Sequence, residues 1–148
     1  MNIRDATEAD VDDIVAMSSK FYATTNYRSY TNMDADTVAG LVRMLIDTSI
    51  MLVAEDAGEV IGMAGLVIAP FLFNASIKGA HEVVWWVSPD SRGSGAGREL
   101  LREVELHAKE KGCRIIQMLT LSTSPAHAGQ TYERSGYAHS ETCYTKEI

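Results

Sequence analysis

Six residues, Arg92-Gly93-Ser94-Gly95-Ala96-Gly97, constrain this chain more than any other stretch. They lie between an apolar run, His81 to Val87, closed by Ser88-Pro89-Asp90, and a segment in which Leu100, Leu101, Val104 and Ala108 recur at helical spacing. The pattern predicts a strand, a glycine-rich turn and a helix start, in that order. A helix start presents unpaired backbone N–H groups and the positive end of its dipole, and glycines let the backbone approach an anion closely. The turn is therefore a candidate phosphate or pyrophosphate cradle, with a flexible connection as the plainer reading. A Walker loop requires Gly-Lys-Ser/Thr, whereas Gly97 is followed by Arg98-Glu99. A dinucleotide fingerprint requires an acidic residue at the tip of the next strand, where this chain has Leu119-Thr120-Leu121.

The rest of the chain reads as a mixed α/β domain. Thr7 and Asp10 form a capping-box pattern ahead of Val11, Ile14, Val15, Ser18 and Tyr22, which predicts a helix from about 8 to 22 after a short Ile3-Arg4 strand. Asp34 is placed to cap a second helix carrying Val38, Leu41, Val42, Leu45 and Ile46 on one face. Ile50 to Glu55 and Val60 to Ala69, separated by Asp56-Ala57-Gly58-Glu59, predict an antiparallel hairpin. Pro70 to Gly79 reads as an apolar connection that packs over a groove or partner. Arg114 to Leu121 predicts a strand, Pro125 to Arg134 a short helix, and Tyr137 to Lys146 one or two closing strands. The order β-α-α-β-β-β-α-β-α-β has no repeat and no linker, so residues 1–148 are expected to form one domain.

Composition narrows the function classes. Thirteen Lys and Arg against twenty Asp and Glu give a net charge of −7, the wrong sign for neutralising a phosphate backbone, and no nucleic-acid partner is expected. Cys113 and Cys143 form neither a CxxC nor a Cys/His cluster, so both are expected as small core residues in a reducing cytoplasm, and no metal site is expected. The acidic N-terminus lacks the flank and apolar run of a signal peptide. The uncharged stretch from Val60 to Phe73 falls short of the roughly 18 to 20 residues of a membrane span, so no membrane partner is expected.

The glycine turn, through Arg92, Gly95 and Gly97, resembles the acetyl-CoA loop of the GNAT superfamily of N-acetyltransferases, written Arg/Gln-x-x-Gly-x-Gly/Ala. Upstream, Trp85-Trp86-Val87-Ser88-Pro89 is similar to the exit of that family's fourth strand. Downstream, Tyr132-Glu133-Arg134-Ser135-Gly136-Tyr137 is similar to its Tyr-Glu-x-x-Gly-Phe element. The resemblance implies a GNAT-like, single-domain, mostly antiparallel mixed sheet flanked by helices. It also implies that acetyl-CoA is the cosubstrate. The backbone of Arg92, Gly93, Ser94, Gly95, Ala96 and Gly97 would hold the pyrophosphate, and that of Trp85, Trp86 and Val87 the pantetheine arm. An amide near Trp85 or Trp86 would polarise the thioester carbonyl.

Direct acetyl transfer needs a base for the amine and an acid for the departing thiolate. Tyr132 stands where the family commonly places the acid. For the base, Glu82 and His81 are adjacent on the strand that feeds the turn, and strand neighbours point to opposite faces, so one of them, or a water relay, serves the acceptor. Relatives that acetylate protein N-termini carry a glutamate where this chain has Thr120, and many members carry an Asn where it has Pro125. The expected activity is acetyl transfer to a small-molecule or peptide amine, with a noncatalytic acyl-CoA-binding sensor or interaction module as the alternative. Long-range attraction by a negative protein favours a cationic acceptor. Acceptor choice is expected to come from the first two helices, including Phe21, Tyr22, Tyr27 and Tyr30. His107, His127 and His139 are expected at the surface, and the family's habit of pairing, with the apolar 70–79 segment, points to a homodimer.

Overall fold

In the first long strand, Ile50 to Ala54, every residue is at most 2% exposed, so this strand is covered on both faces and organises what surrounds it. The computed structural model describes residues 1–148. In chain order it contains β1 (Asn2–Asp5), α1 (Val11–Tyr22), α2 (Ala35–Thr48), β2 (Ile50–Asp56), β3 (Glu59–Phe71), β4 (Asn74–Val87), α3 (Ala96–Glu110), β5 (Cys113–Gln117) and α4 (His127–Arg134). The five strands form one sheet in sequence order, antiparallel from β1 to β4 and parallel between β4 and β5, where α3 makes the crossover.

Strand alternation divides the core into two layers. Ile50, Leu52, Ala54, Ala64 and Leu66 face α3, whose Leu100, Leu101 and Val104 are buried against them together with Tyr132 of α4. Met51, Val53, Met63 and Trp86 face α1 and α2 and meet Val11, Ile14, Met17, Val42 and Leu45. Truncating a fully buried leucine such as Leu100 to alanine costs about 2 to 5 kcal/mol.

Polar groups fix the N-terminal corner. Arg4 donates two hydrogen bonds to the buried Asp10 carboxylate, at 2.8 and 2.9 Å, and one to Glu55 at 2.9 Å, tying β1 to β2 and to the start of α1. Asp10 also accepts from the backbone N–H and hydroxyl of Thr7, which realises the predicted capping pattern. Asp34 caps α2 by accepting from the Thr37 N–H at 2.9 Å.

Four sequence expectations are corrected. The 70–79 segment is not a connection: β3 and β4 run through it as a long hairpin, with Pro70 opposite Lys78 and the turn at Leu72-Phe73. Proline is tolerated because β3 has there outrun β2, whose last pairing is Ile50 with Leu66. The Ile68 N–H points outward to the Ser49 hydroxyl, and Pro70, two residues on, has its nitrogen on the same open edge. The strand expected to reach Leu121 ends at Gln117, and the Leu119 N–H turns instead to the Glu82 carboxylate. No strand forms after Tyr137. Residues 138–148 are exposed, and their alternation is among polar side chains with no apolar face to bury. Cys143 is exposed and Cys113 half-buried, so neither is a fully buried core residue.

Candidate active site

The parallel pairing of β4 with β5 ends at His81 opposite Gln117, which leaves Glu82 to Val87 without a neighbour on that side. The strands part there, and a cavity of about 970 Å³ opens between β4, the end of α1, the glycine turn, residues 119–125 and α4. Backbone N–H and C=O groups on an open strand edge are a template for pairing with an extended ligand.

A β-bulge decides which side chains reach this cavity. Gly65 pairs with Val84 but Leu66 pairs with Glu82, so Val83 is an extra residue on β4. The insertion reverses the alternation. Glu82 consequently shares a face with Trp85 and Val87, the α3 and α4 face, while Val84 and Trp86 turn to α1 and α2. His81 does not line the cavity. Its Nδ1 lies 2.6 Å from the Gln117 side-chain oxygen across the parallel ladder.

Glu82 is the one carboxylate among the residues that line this cavity. Burial pushes its carboxyl up to about 7, held back by hydrogen bonds from the Leu119 N–H at 2.7 Å and the Tyr132 hydroxyl at 3.2 Å. Tyr132, itself buried, has a second acceptor in the Leu119 carbonyl at 3.0 Å. Its hydroxyl is held well above the ordinary tyrosine range by burial and then by the Glu82 charge and hydrogen bond. The ring sits between Trp85, at 5.2 Å, and Tyr137, at 5.7 Å.

The two tryptophans do different work. Trp85 donates from its indole nitrogen to the Gly97 carbonyl at 3.0 Å and so ties the strand to the first turn of α3. Trp86 is buried beside Phe21, and the Arg92 guanidinium lies 4.5 Å above its ring, a cation–π contact. Arg92 also donates to the Val87 carbonyl at 3.3 Å.

In the glycine turn, Gly93 and Gly95 have φ of 89° and 95°, and a β-carbon added at either would meet nothing within 4 Å. The backbone is therefore both left-handed and open to an approaching group. Gly95 caps α3, and the Ala96 N–H donates to the Ser94 hydroxyl at 3.3 Å. Arg92, Gly93, Gly95, Ala96 and Gly97 line the cavity, whereas Ser94 serves the turn itself.

Residues 12–137 match the model of the acetyltransferase (GNAT) family. The chain belongs to that family. A GNAT relative, the uncharacterized N-acetyltransferase YhfO of Bacillus subtilis, is 29% identical over 140 residues, which span 93% of this chain and 89% of that protein. A transcriptional regulator from Bacillus halodurans superposes with a TM-score of 0.80 at 24% identity, over 99% of both chains. A predicted acetyltransferase from Clostridium acetobutylicum, solved with acetyl-CoA, gives 0.77 at 16% identity, over 99% of this chain and 95% of the other. These two likenesses show the fold. No helix of this GNAT chain is long and apolar enough to cross a membrane.

The GNAT cavity carries cations that sequence reading missed. Arg98 and Arg134 line it with Arg92, so three arginines border a pocket in a chain of net charge −7. Arg98 had a signal: a cation in the first turn of α3 opposes the helix dipole and asks for an anion nearby. Leu119, which acts through its backbone, had none. His127 is exposed, as expected, and lines the cavity, whereas His107 is half-buried, its ring donating to the Glu103 carbonyl at 2.8 Å. Open glycines, a free strand edge and three guanidiniums fit an elongated, multiply anionic thioester such as acetyl-CoA.

Proposed function

We propose that this chain is an acetyl-CoA-dependent N-acetyltransferase that moves the acetyl group directly to a primary amine within one ternary complex. The observation that carries the reading is the Glu82–Tyr132 hydrogen bond at the blind end of an open strand edge. Acetyl-CoA supplies the thioester. The backbone of Arg92 to Gly97 and the guanidiniums of Arg92, Arg98 and Arg134 hold its phosphates, and the free edge of Trp85 to Val87 holds its extended arm.

Protons move through the two titratable groups. Glu82, ionised above its pKa of about 7, takes a proton from the incoming ammonium. The freed nitrogen bonds to the acetyl carbon, the carbon–sulfur bond breaks, and Tyr132 gives its hydroxyl proton to the departing thiolate. The phenolate left behind faces protonated Glu82 across 3.2 Å and recovers its proton from it. One proton has then travelled from amine to thiol; Glu82, ionised again, takes the second proton that the nitrogen sheds on becoming an amide and releases it to water, so both groups are reset. The high pKa of Tyr132 makes the transfer from Glu82 to the phenolate downhill.

His81 has no part in this scheme because it points away from the cavity. Neither cysteine lines the cavity, which favours direct transfer over a thiol-bound route. The same reading includes a homodimer joined through the hairpin tip, where Leu72 and Phe73 are 85% and 84% exposed.

Thermal-shift titration with acetyl-CoA, followed by an amine panel scored for free thiol, tests the reading. A rise in melting temperature with amine-dependent thiol release is expected. A rise with no release for any amine would leave an acyl-CoA-binding module.

A further inference from the structure

The acceptor side of the cavity has an unusual charge inventory. Among the residues that line the cavity, Glu82 is the one acidic side chain, against Arg92, Arg98 and Arg134. The surplus of negative charge therefore lies elsewhere on the chain. Once an anionic cosubstrate has paired the guanidiniums, Glu82 alone remains to receive an ammonium group. A spermidine, an aminoglycoside or a lysine-rich peptide brings two or more ammoniums, and each further one would be stripped of water with no carboxylate to meet it.

Large apolar side chains line the cavity together with Glu82. The Leu119 backbone N–H is bonded to the Glu82 carboxylate, so its side chain is held beside that group, yet it is 56% exposed. Val83, the bulge residue, is 39% exposed, and Tyr27, just beyond α1, is 38% exposed. All three line the cavity, as do Phe21 and Tyr22. Large apolar side chains left in water inside a concave site are surface that a ligand would cover.

Resting on the acetyltransferase reading, we propose that the acceptor carries a single amine on an uncharged apolar or aromatic body, as in an arylalkylamine. The ammonium meets Glu82, and the body covers Leu119, Val83 and Tyr27. This narrows the preference for a cationic acceptor that the net charge of the chain implies to one that carries a single charge.

The test compares phenethylamine and tyramine with spermidine, kanamycin and an N-terminally blocked lysine peptide, each with the purified protein and acetyl-CoA. The expected kcat/KM for phenethylamine exceeds that for spermidine by about tenfold or more, the scale of one apolar pocket contact. Its KM should rise far less than that of spermidine between about 0.02 and 0.5 M NaCl, because one buried charge pair is screened less than several exposed ones and apolar contacts are not screened. Calorimetry should also show phenethylamine, but not spermidine, binding to the protein–CoA complex. Tyr27→Asp should lower phenethylamine turnover and raise that of spermidine while the acetyl-CoA thermal shift persists. Preference for spermidine, kanamycin or the peptide, with a KM that climbs with salt, would overturn this inference and leave the transferase reading intact. No thiol release with any amine, despite an acetyl-CoA shift, would overturn the transferase reading and this inference with it.

Discussion

The Tyr132 hydroxyl on α4 and the Glu82 carboxylate on β4 lie 3.2 Å apart although fifty positions separate them in the chain. Each perturbs the other: the hydroxyl steadies the carboxylate, and the carboxylate makes loss of the tyrosine proton harder.

Tyr132→Phe removes the proton that the scheme gives to sulfur. Turnover should fall by about 10² to 10⁴-fold, the usual worth of a positioned general acid, with the acetyl-CoA thermal shift retained. Because the tyrosine hydrogen bond lowers the Glu82 pKa, the residual activity should show its acidic limb at higher pH than the wild type. Steady-state rates across pH check both, and full activity would reduce Tyr132 to packing.

Glu82→Gln separates chemistry from stability. The wild-type kcat/KM should rise through about pH 7 as the carboxyl ionises, with Tyr132 and Tyr137 the titratable groups that face it. In the variant that limb should be replaced by one governed by the acceptor's own pKa. For stability the sign is opposite. A folded-state pKa of about 7 against an ordinary 4.5 means the fold holds the proton more tightly, so Glu82's contribution is best at low pH and is lost as pH rises through 7. Denaturant melts at pH 8 should find the Gln variant more stable by about 1 to 3 kcal/mol, with the gain vanishing below about pH 4.5.

The glycine turn yields a graded pair. Gly95→Ala forces a β-carbon into a left-handed backbone, and stability should drop by about 1 kcal/mol. Gly97 is helical, and an added β-carbon would make an ordinary 3.5 Å contact with Trp85. Gly97→Ala should therefore fold normally, whereas Gly97→Glu should fold and lose the acetyl-CoA thermal shift by placing a carboxylate against the phosphates. An undiminished shift in the Glu variant would move the anion site elsewhere.

Asp10→Asn leaves Arg4 beside a neutral partner at the N-terminal corner. Charge-assisted hydrogen bonds of this kind are worth about 1.5 to 3 kcal/mol, and equilibrium unfolding at pH 7 should register a loss of that order. Arg4 holds the Asp10 carboxyl well below the usual carboxylate range, so its contribution is present above about pH 4 and disappears on acidification. The difference between variant and wild type should shrink accordingly.

Phe73→Asp together with Leu72→Asp should convert a dimer to a monomer in light scattering, since both side chains stand in solvent at the hairpin tip. A monomeric wild type would remove the homodimer from the proposal.

The elements that bury a periodic apolar face were legible in the sequence: the predicted spans for α1, α2, α3 and the β2–β3 hairpin agree with the structure to within a few residues. The glycine turn was legible because its chemistry is local. What sequence reading missed depends on relations between distant segments. Pro70 reads as a break until β3 is seen to have outrun β2. The polar alternation after Tyr137 resembles a strand but has nothing to bury. Trp85 and Glu82, three apart, belong on opposite faces of a regular strand, and only the pairing with β3 shows that Val83 is supernumerary.

That extra residue also bears on how chains of this kind are compared. Counting along the sequence and measuring in space give different answers on either side of Val83. A homologue with a regular fourth strand would bring its carboxylate to the same point from the position occupied here by Val83 rather than Glu82. An alignment that pairs residues without gaps through this strand would then equate groups on opposite faces of the sheet. Function can be carried between such chains only after the bulge has been located in each.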